Sequence, residues 1–341
     1  MTRRGFLAAA AGAVASAQTG GGVRLGVDLF SLRSQGWTAF EHLDYCAKWK
    51  AKVVHFSEIR FLGSLEDDHL RKVRAHAEKL GIQVEIGMRS VCPTSKAFDA
   101  KAGTAEEQIA KMIHSAKVIG SPIVRCFLGT SLDRATPGGI DARIDDTVKV
   151  LRAVRSQVQD SGLKIAIENH AGDMQGRELK RLVEESGKDF VGVCLDSGNP
   201  LWAIEDPHLT LETLSPYVLT SHIRDTEVWR VPEGAAVSWV RMGEGNVGID
   251  DYVRKYQQLC PGRALSLEVI VTPPRIYPYL KPDFWAPYKT TPAWEFSRFV
   301  KLVENGKSRP AADPVPKEMA AQREREDFEA SMRYAHQLLG V

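Results

Sequence analysis

Eight short aliphatic runs recur along the chain: VRLGVD (23–28), KVVHFS (52–57), IQVEIGM (82–88), PIVRCFL (122–128), LKIAIE (163–168), FVGVCLD (190–196), VLTSHI (218–223) and ALSLEV (264–269). Each has the length and β-branched content of a buried strand. Stretches with helical spacing lie between them, near 37–50, 65–80, 104–119, 141–161, 175–187, 201–215 and 249–260. Gly81, Gly120, Gly162 and Gly187 stand where helices are expected to end. Strands alternating with helices over about 250 residues predict an α/β fold, a (β/α)8 TIM barrel; a doubly wound sheet is the alternative.

Alternation inside the last four runs adds a second layer of information, because successive side chains of a strand point to opposite faces. Ile165 and Ile167 share one face, and Lys164, Ala166 and Glu168 the other. Gly192, Cys194 and Asp196 oppose Val191, Val193 and Leu195. Val218, Thr220 and His222 share a face, and Ser266 and Glu268 oppose Leu265, Leu267 and Val269. Bulky faces are expected to meet the helices and small ones to fill the barrel. Glu168, Asp196, His222 and Glu268 then point inward together at the C-terminal mouth. Taken singly, a Glu or Asp at a strand end is more often a helix cap or salt-bridge partner, and a lone His222 more often a hydrogen-bonded mouth residue; the shared parity on four consecutive strands is what points to a metal. Three carboxylates and an imidazole suit a divalent ion, Mn2+ first, with Mg2+, Co2+ or Zn2+ as alternatives.

The remaining segments surround this core. A long loop (224–248) follows the seventh run and contains Trp229, Trp239, Arg241 and Met242-Gly243-Glu244-Gly245. Within it, Gly243 to Gly248 spells G-x-G-x-x-G, with Glu268 about twenty residues on, the spacing of a dinucleotide fingerprint. Arg241 and Trp239 in the preceding run, and the single strand that follows, argue against that reading. The Pro- and aromatic-rich stretch from Thr272 to Tyr288 is expected to form a lid or substrate wall. The barrel is assigned to 23–305. Residues 306–341 are read as a linker and a charged C-terminal helix, which packs on the barrel or on a partner subunit in a homo-oligomer.

The N-terminus reads as a twin-arginine signal peptide over 1–17: Arg3-Arg4-Gly5-Phe6-Leu7, a small apolar stretch, then Ala15-Ser16-Ala17 as a cleavage site. Export to the periplasm is the expectation. Cleavage would leave 43 basic against 43 acidic residues. That balance argues against a nucleic acid or an anionic membrane as partner. The five cysteines are odd in number and lack C-x-x-C spacing, so they are expected to be buried thiols rather than a disulfide framework.

The segments Ile167-Glu168-Asn169-His170, Cys194 to Pro200, Ser221-His222-Ile223-Arg224-Asp225, Met242 to Gly245 and Leu267-Glu268 resemble the xylose isomerase-like barrel superfamily. Its sugar phosphate isomerase/epimerase branch is the most similar group, and the resemblance covers roughly 23–272. It implies a divalent metal on Glu168, Asp196, His222 and Glu268, with the two glutamates as the acid/base pair. This chain departs from the pattern at Arg224, where relatives with an H-x-K-D segment carry lysine, and at Asn199, where epimerases carry histidine. These departures leave the sugar open.

The expected chemistry is isomerisation or epimerisation of an unphosphorylated sugar or polyol by proton transfer next to a carbonyl, through an enediolate. A lyase or dehydratase acting on a keto-sugar or keto-glycoside is the alternative. An endonuclease acting at abasic DNA and a non-catalytic sugar-binding protein rank lower. His170, Asn199, Arg224 and Glu244 are the candidate substrate contacts, with Glu58, Arg89 and Arg125 as weaker ones.

Overall fold

The structure, a computed structural model, describes residues 22–308 and 315–341. The proposed signal peptide and residues 309–314 of the proposed linker lie outside the described residues.

All eight predicted strands form. They are β1 (Arg24–Asp28), β2 (Val53–Phe56), β3 (Gln83–Ser90), β4 (Ile123–Phe127), β5 (Lys164–Glu168), β6 (Val191–Asp196), β7 (Val218–His222) and, after an intervening hairpin, β10 (Ala264–Leu267). They pair in parallel in the order β10-β1-β2-β3-β4-β5-β6-β7. Ile223 closes the ring: its N donates to Ser266 O at 2.7 Å, and its O accepts from Glu268 N at 2.9 Å. The fold is a (β/α)8 barrel.

Helices α1 (Ala39–Lys48), α2 (Asp67–Leu80), α3 (Ala105–Ile119), α4 (Gly139–Ala153), α5 (Arg155–Ser161), α6 (Gly176–Ser186), α7 (Asn199–Trp202), α8 (Pro207–Leu214) and α9 (Ile249–Leu259) fill the connections. Thr38 and Thr104 start α1 and α3 with reciprocal capping boxes. Gly81, Gly120 and Gly162 end α2, α3 and α5 in the left-handed conformation. The stretch expected as one helix over 141–161 breaks at Val154.

The outward strand residues Ile165, Ile167, Val191, Val193, Leu195, Leu265 and Leu267 join the main core between barrel and helices. One parity prediction fails. The β6–β7 register shifts between Val193 and Cys194, so Val218 pairs with Val193 while Thr220 pairs with Cys194. Val218 therefore joins the outer core. Leu219 turns inward against Ile123, Ala166 and Cys194. It takes the room left by Gly192, whose added Cβ would stand 2.7 Å from Leu219 Cγ. Above the bulge the predicted parity resumes, and His222 points inward.

The long loop after β7 is structured. β8 (Asp225–Val231) and β9 (Gly234–Val240) form an antiparallel hairpin, and β11 (Arg275–Tyr277) adds a third strand to it. With α7 and α10 (Ala293–Asn305), this sheet encloses a second apolar core around Trp202, Val228, Val237, Trp239, Tyr288 and Phe299. The run before G-x-G-x-x-G is thus an antiparallel strand. The motif itself is a turn whose Gly243 and Gly245 N–H groups both donate to Asp225 Oδ2 at 2.9 Å. The C-terminal helix α11 (Ala320–Leu339) packs on the barrel, against the Leu29–Leu32 turn and α1. No described helix is long and apolar enough to cross a membrane.

Candidate metal centre

Three side-chain clamps hold the barrel mouth where the backbone ladder runs out. Asn169 donates to Asp196 O and accepts from Asp196 N, both at 2.9 Å, tying β5 to β6. Ser197 donates to Arg224 O at 2.7 Å and accepts from Arg224 N at 2.9 Å, tying β6 to β7. Ser31 accepts from Val269 N at 2.8 Å and donates to Leu267 O at 3.2 Å, tying β1 to β10. Each clamp sits beside a strand end that carries a candidate ligand, so those side chains project from fixed backbone.

Glu168, Asp196, His222 and Glu268 converge here. One ligand atom from each lies within 4.8 Å of the others, and all four residues are buried. His222 Nδ1 stands 3.0 Å from Glu168 Oε2 and 3.3 Å from Glu268 Oε2. It has no hydrogen-bond partner. On the far side of the ring, Nε2 lies 3.0 Å from Asp28 Oδ2 and 2.9 Å from His55 Nδ1. With an ion bound, the ring would keep its proton on Nε2, toward Asp28 and His55, and would present the Nδ1 lone pair to the ion beside the carboxylates. Three carboxylates and this lone pair in one buried pocket fit a divalent cation of the oxygen-preferring kind.

Two arginines share the pocket. Arg125 Nε donates to Glu168 Oε2 at 2.6 Å, and its Nη1 to Met88 O at 3.3 Å. Arg224 Nη2 pairs with both Asp196 and Glu268. Burial works against ionising Glu168, but Arg125 and His222 hold its carboxyl well below the usual range. Asp196 is pushed up to about 6 by burial, with Arg224 opposing. Burial also opposes charge on His222, and the acidic groups around it outweigh that and raise it well above its ordinary value.

Above the donors lies a cavity of about 300 Å3. His170, Asn199 and Arg224 line it, as do Glu58, Arg89 and Arg125. His170 Nδ1 donates to Gly129 O at 2.7 Å, and its ring stacks on Phe127 at 3.8 Å. Burial lowers its pKa to about 4, so the ring is neutral with Nε2 as an acceptor. Asn199 Nδ2 donates to Glu168 Oε1 at 3.2 Å. Glu244 is placed apart: it is exposed in the turn after β9 and is not among the residues lining the cavity.

Several residues here escaped the sequence reading. Asp28, His55 and Glu85 point inward from β1, β2 and β3 and are buried. Glu85 accepts from Thr220 Oγ1 at 2.6 Å. Phe30, Trp202 and Trp239 wall the cavity. Trp202 and Trp239 stack at 3.7 Å, with the Arg224 guanidinium 4.1 Å from the Trp239 ring and Arg275 at 3.4 Å over Trp202. Gly198 makes room for this stack, since an added Cβ would fall 2.5 Å from Arg224 Cγ and 2.9 Å from Trp239 Nε1.

Comparison with known proteins accords with this architecture. Residues 35–281 match the family described as xylose isomerase-like TIM barrel. A 3-oxo-isoapionate decarboxylase of Pectobacterium atrosepticum is 24% identical over 183 residues, which are 54% of this chain and 59% of the relative. The chain thus spans well under two thirds of that relative's length. Among solved structures, D-psicose 3-epimerase of Clostridium cellulolyticum with D-tagatose superposes with a TM-score of 0.61 at 12% identity, covering 92% of this chain and 99% of the other. The IolI protein with a bound zinc atom gives 0.55 at 17% identity, covering 84% and 100%. The chain belongs to the xylose isomerase-like TIM barrel family.

Proposed function

We propose that the protein is a divalent-metal-dependent isomerase or epimerase that moves a proton next to the carbonyl of an unphosphorylated sugar or polyol. The observation that carries this reading is the pair Glu168 and Glu268, from β5 and the end of β10, whose Oε2 atoms lie 3.0 and 3.3 Å from His222 Nδ1 beneath a cavity of about 300 Å3. Glu168, Asp196, His222 and Glu268 would hold the ion, with Mn2+ preferred for this donor set. When bound, the ion polarises the substrate carbonyl and balances the charge that develops on it.

The chain's own residues do the rest. Glu168, kept ionised by Arg125, is the base that takes the proton from carbon. Glu268, carrying a proton taken from solvent, is the group that returns one, and Glu168 then releases its proton to solvent. Asn199 Nδ2 fixes the other Glu168 oxygen, and neutral His170 accepts a substrate hydroxyl through Nε2. Phe30, Phe127, Trp202 and Trp239 keep bulk water from the exposed carbanion equivalent. The twin-arginine pattern supports work in the periplasm, where free sugars are the available substrates. The fold shared with D-psicose 3-epimerase is compatible with this chemistry.

A second reading shares the proton-abstraction apparatus and ends in bond cleavage, as a lyase or dehydratase; the similarity to a decarboxylase favours keeping it. Incubating Mn2+-loaded protein with a keto-sugar panel in deuterated water separates the two. Deuterium at the carbon next to the carbonyl, with the carbon skeleton intact, is the expected result. Loss of water, carbon dioxide or an aglycone would sink the isomerase reading. Glu168→Gln is expected to lower the exchange rate by about 10²–10⁴-fold; full exchange in that variant would remove Glu168 as the base.

A further inference from the structure

The hydrogen-bonding groups around the mouth cavity are out of balance. Among the cavity-lining residues, the buried side-chain atoms without a partner are Arg224 Nε, Arg224 Nη1, Trp202 Nε1, Trp239 Nε1 and Asn199 Oδ1. Four are donors and one is an acceptor. A neutral sugar presents hydroxyls, each bringing a donor along with its acceptor. Such a ligand could place donors on His170 Nε2 and the carboxylates, but against these five atoms most of its donors would face donors. A carboxylate brings acceptors only, with about four lone-pair directions. Buried donors left unpaired are costly, most of all on a charged group. No described protein acceptor pairs with these atoms, and the residues that carry them line the cavity.

Charge points the same way. Arg224 is buried, and its Nη2 alone is engaged, with Asp196 and Glu268. Its guanidinium is held against Trp239 at 4.1 Å, in a stack that continues through Trp202 to Arg275. That packing fixes the plane of the group and reduces the freedom it loses on binding a ligand. Arg89 lines the same cavity and is exposed, and its side chain makes no hydrogen bond or ion pair among the described residues. By contrast Glu58, which also lines the cavity, is paired with Arg60. The mouth therefore offers one unengaged cation outside and a partly engaged one inside.

We infer that the substrate is a sugar acid, its carboxylate bound by Arg224 and drawn into the mouth by Arg89. This deepens the proposed function and rests on it for the site, though not for the reaction. The carboxylate lies on the hairpin side of the cavity, against the tryptophan pair, and the reacting carbons lie over Glu168 and Glu268.

The test is calorimetric titration of the Mn2+-loaded protein with matched probes: D-galacturonate against D-galactose, D-glucuronate against D-glucose, and D-gluconate against D-glucitol. At least one acid is expected to bind about tenfold or more tightly than its neutral counterpart, and less tightly as salt is raised. Arg89→Met and Arg224→Met are each expected to cut that preference severalfold, with Arg224→Lys restoring only part of it because lysine lacks the planar group. A panel in which no acid outbinds its partner overturns the inference. So does an acid preference that survives in folded Arg89→Met protein, whatever becomes of the Arg224 variants. The outcome is separable from that of the proton-transfer reading. Deuterium exchange into neutral keto-sugars without any acid preference removes the sugar acid alone. An arginine-dependent acid preference without exchange into any substrate removes the proton-transfer chemistry alone.

Discussion

Asp28 makes two kinds of contact with its two oxygens. Oδ1 accepts from Phe30 N at 2.6 Å and Ser57 Oγ at 3.0 Å, while Oδ2 faces His222 Nε2 at 3.0 Å. Although burial opposes its charge, His222 keeps the carboxyl at about 2, so it is ionised at neutral pH. When the ring gives up one proton to an ion, an ionised acceptor at Nε2 keeps the other proton there and leaves Nδ1 to the metal. Asp28→Asn keeps the Oδ1 contacts and sets an amide donor opposite Nε2, which favours the opposite tautomer. The expected result is a 10–100-fold weaker Mn2+ affinity, read by titrating the ion into chelator-stripped protein of unchanged circular dichroism. Wild-type affinity in that variant would mean Asp28 does not orient the ligand. Asp28 was legible in principle, since it closes RLGVD as Asp196 closes VGVCLD. It passes for a cap because it is one: the turn at Leu29–Leu32 starts on its side chain. His55 and Glu85 hide differently, inside runs whose neighbours are apolar on both sides, so that only strand parity betrays them.

At the scale of elements, the eight barrel strands and most helices follow from local signals, because apolar periodicity and capping residues lie within one element. What the sequence concealed is non-local. β8 is interrupted by Asp225, Glu227 and Arg230, and β11 is three residues long and pairs with a strand more than thirty residues earlier, so neither reads as a strand alone. The β7 bulge is concealed for the same reason, as it depends on Gly192 of a neighbouring strand. Another non-local device joins α6 to α8. Buried Glu205 accepts from Gly176 N at 2.8 Å and from Thr210 Oγ1 at 2.6 Å. Burial is the main cause that pushes its carboxyl up to about 7 from 4.5. A raised folded-state pKa means the folded protein holds this proton more tightly than the unfolded chain. Its contribution is complete below about pH 4.5 and is lost as pH rises through about 7, a change of about 3 kcal/mol. Glu205→Gln should flatten that part of the stability profile. Urea midpoints at pH 5 and pH 8, measured on chelator-treated wild type and variant, give the double difference. Equal pH slopes in the two proteins would show that Glu205 does not titrate between them.

On the scale of the molecule, α11 straddles the seam where the first and last barrel strands meet. Glu324 accepts from Ser34 N at 2.9 Å, and Glu329 accepts from the Tyr45 hydroxyl at 2.7 Å. At the other side of the seam, Asp327 accepts from Arg241 Nε at 2.7 Å, and Ser331 Oγ accepts from Met242 N at 3.1 Å. Between them Phe328 and Met332 are fully buried in the main core. An amphipathic pattern shows that a helix has a face to cover and not what covers it, so the pattern alone leaves barrel and partner subunit equal, and these contacts place the face on the barrel. The helix also braces the turn that carries Phe30, one wall of the cavity, and follows Asp28. If α11 is an integral part of the barrel's cooperative unit, Phe328→Ala should cost about 3–5 kcal/mol, the range for removing a buried aromatic ring. Arg333→Ala, on the exposed face of the same helix, should stay within about 0.5 kcal/mol. Denaturant unfolding of the metal-free proteins, followed by circular dichroism and by tryptophan fluorescence, measures both. Coincident transitions shifted together in Phe328→Ala place α11 within the barrel's stability. A Phe328→Ala cost no larger than that of Arg333→Ala would make α11 a peripheral attachment, and the brace on the Phe30 turn would then have to come from the barrel itself.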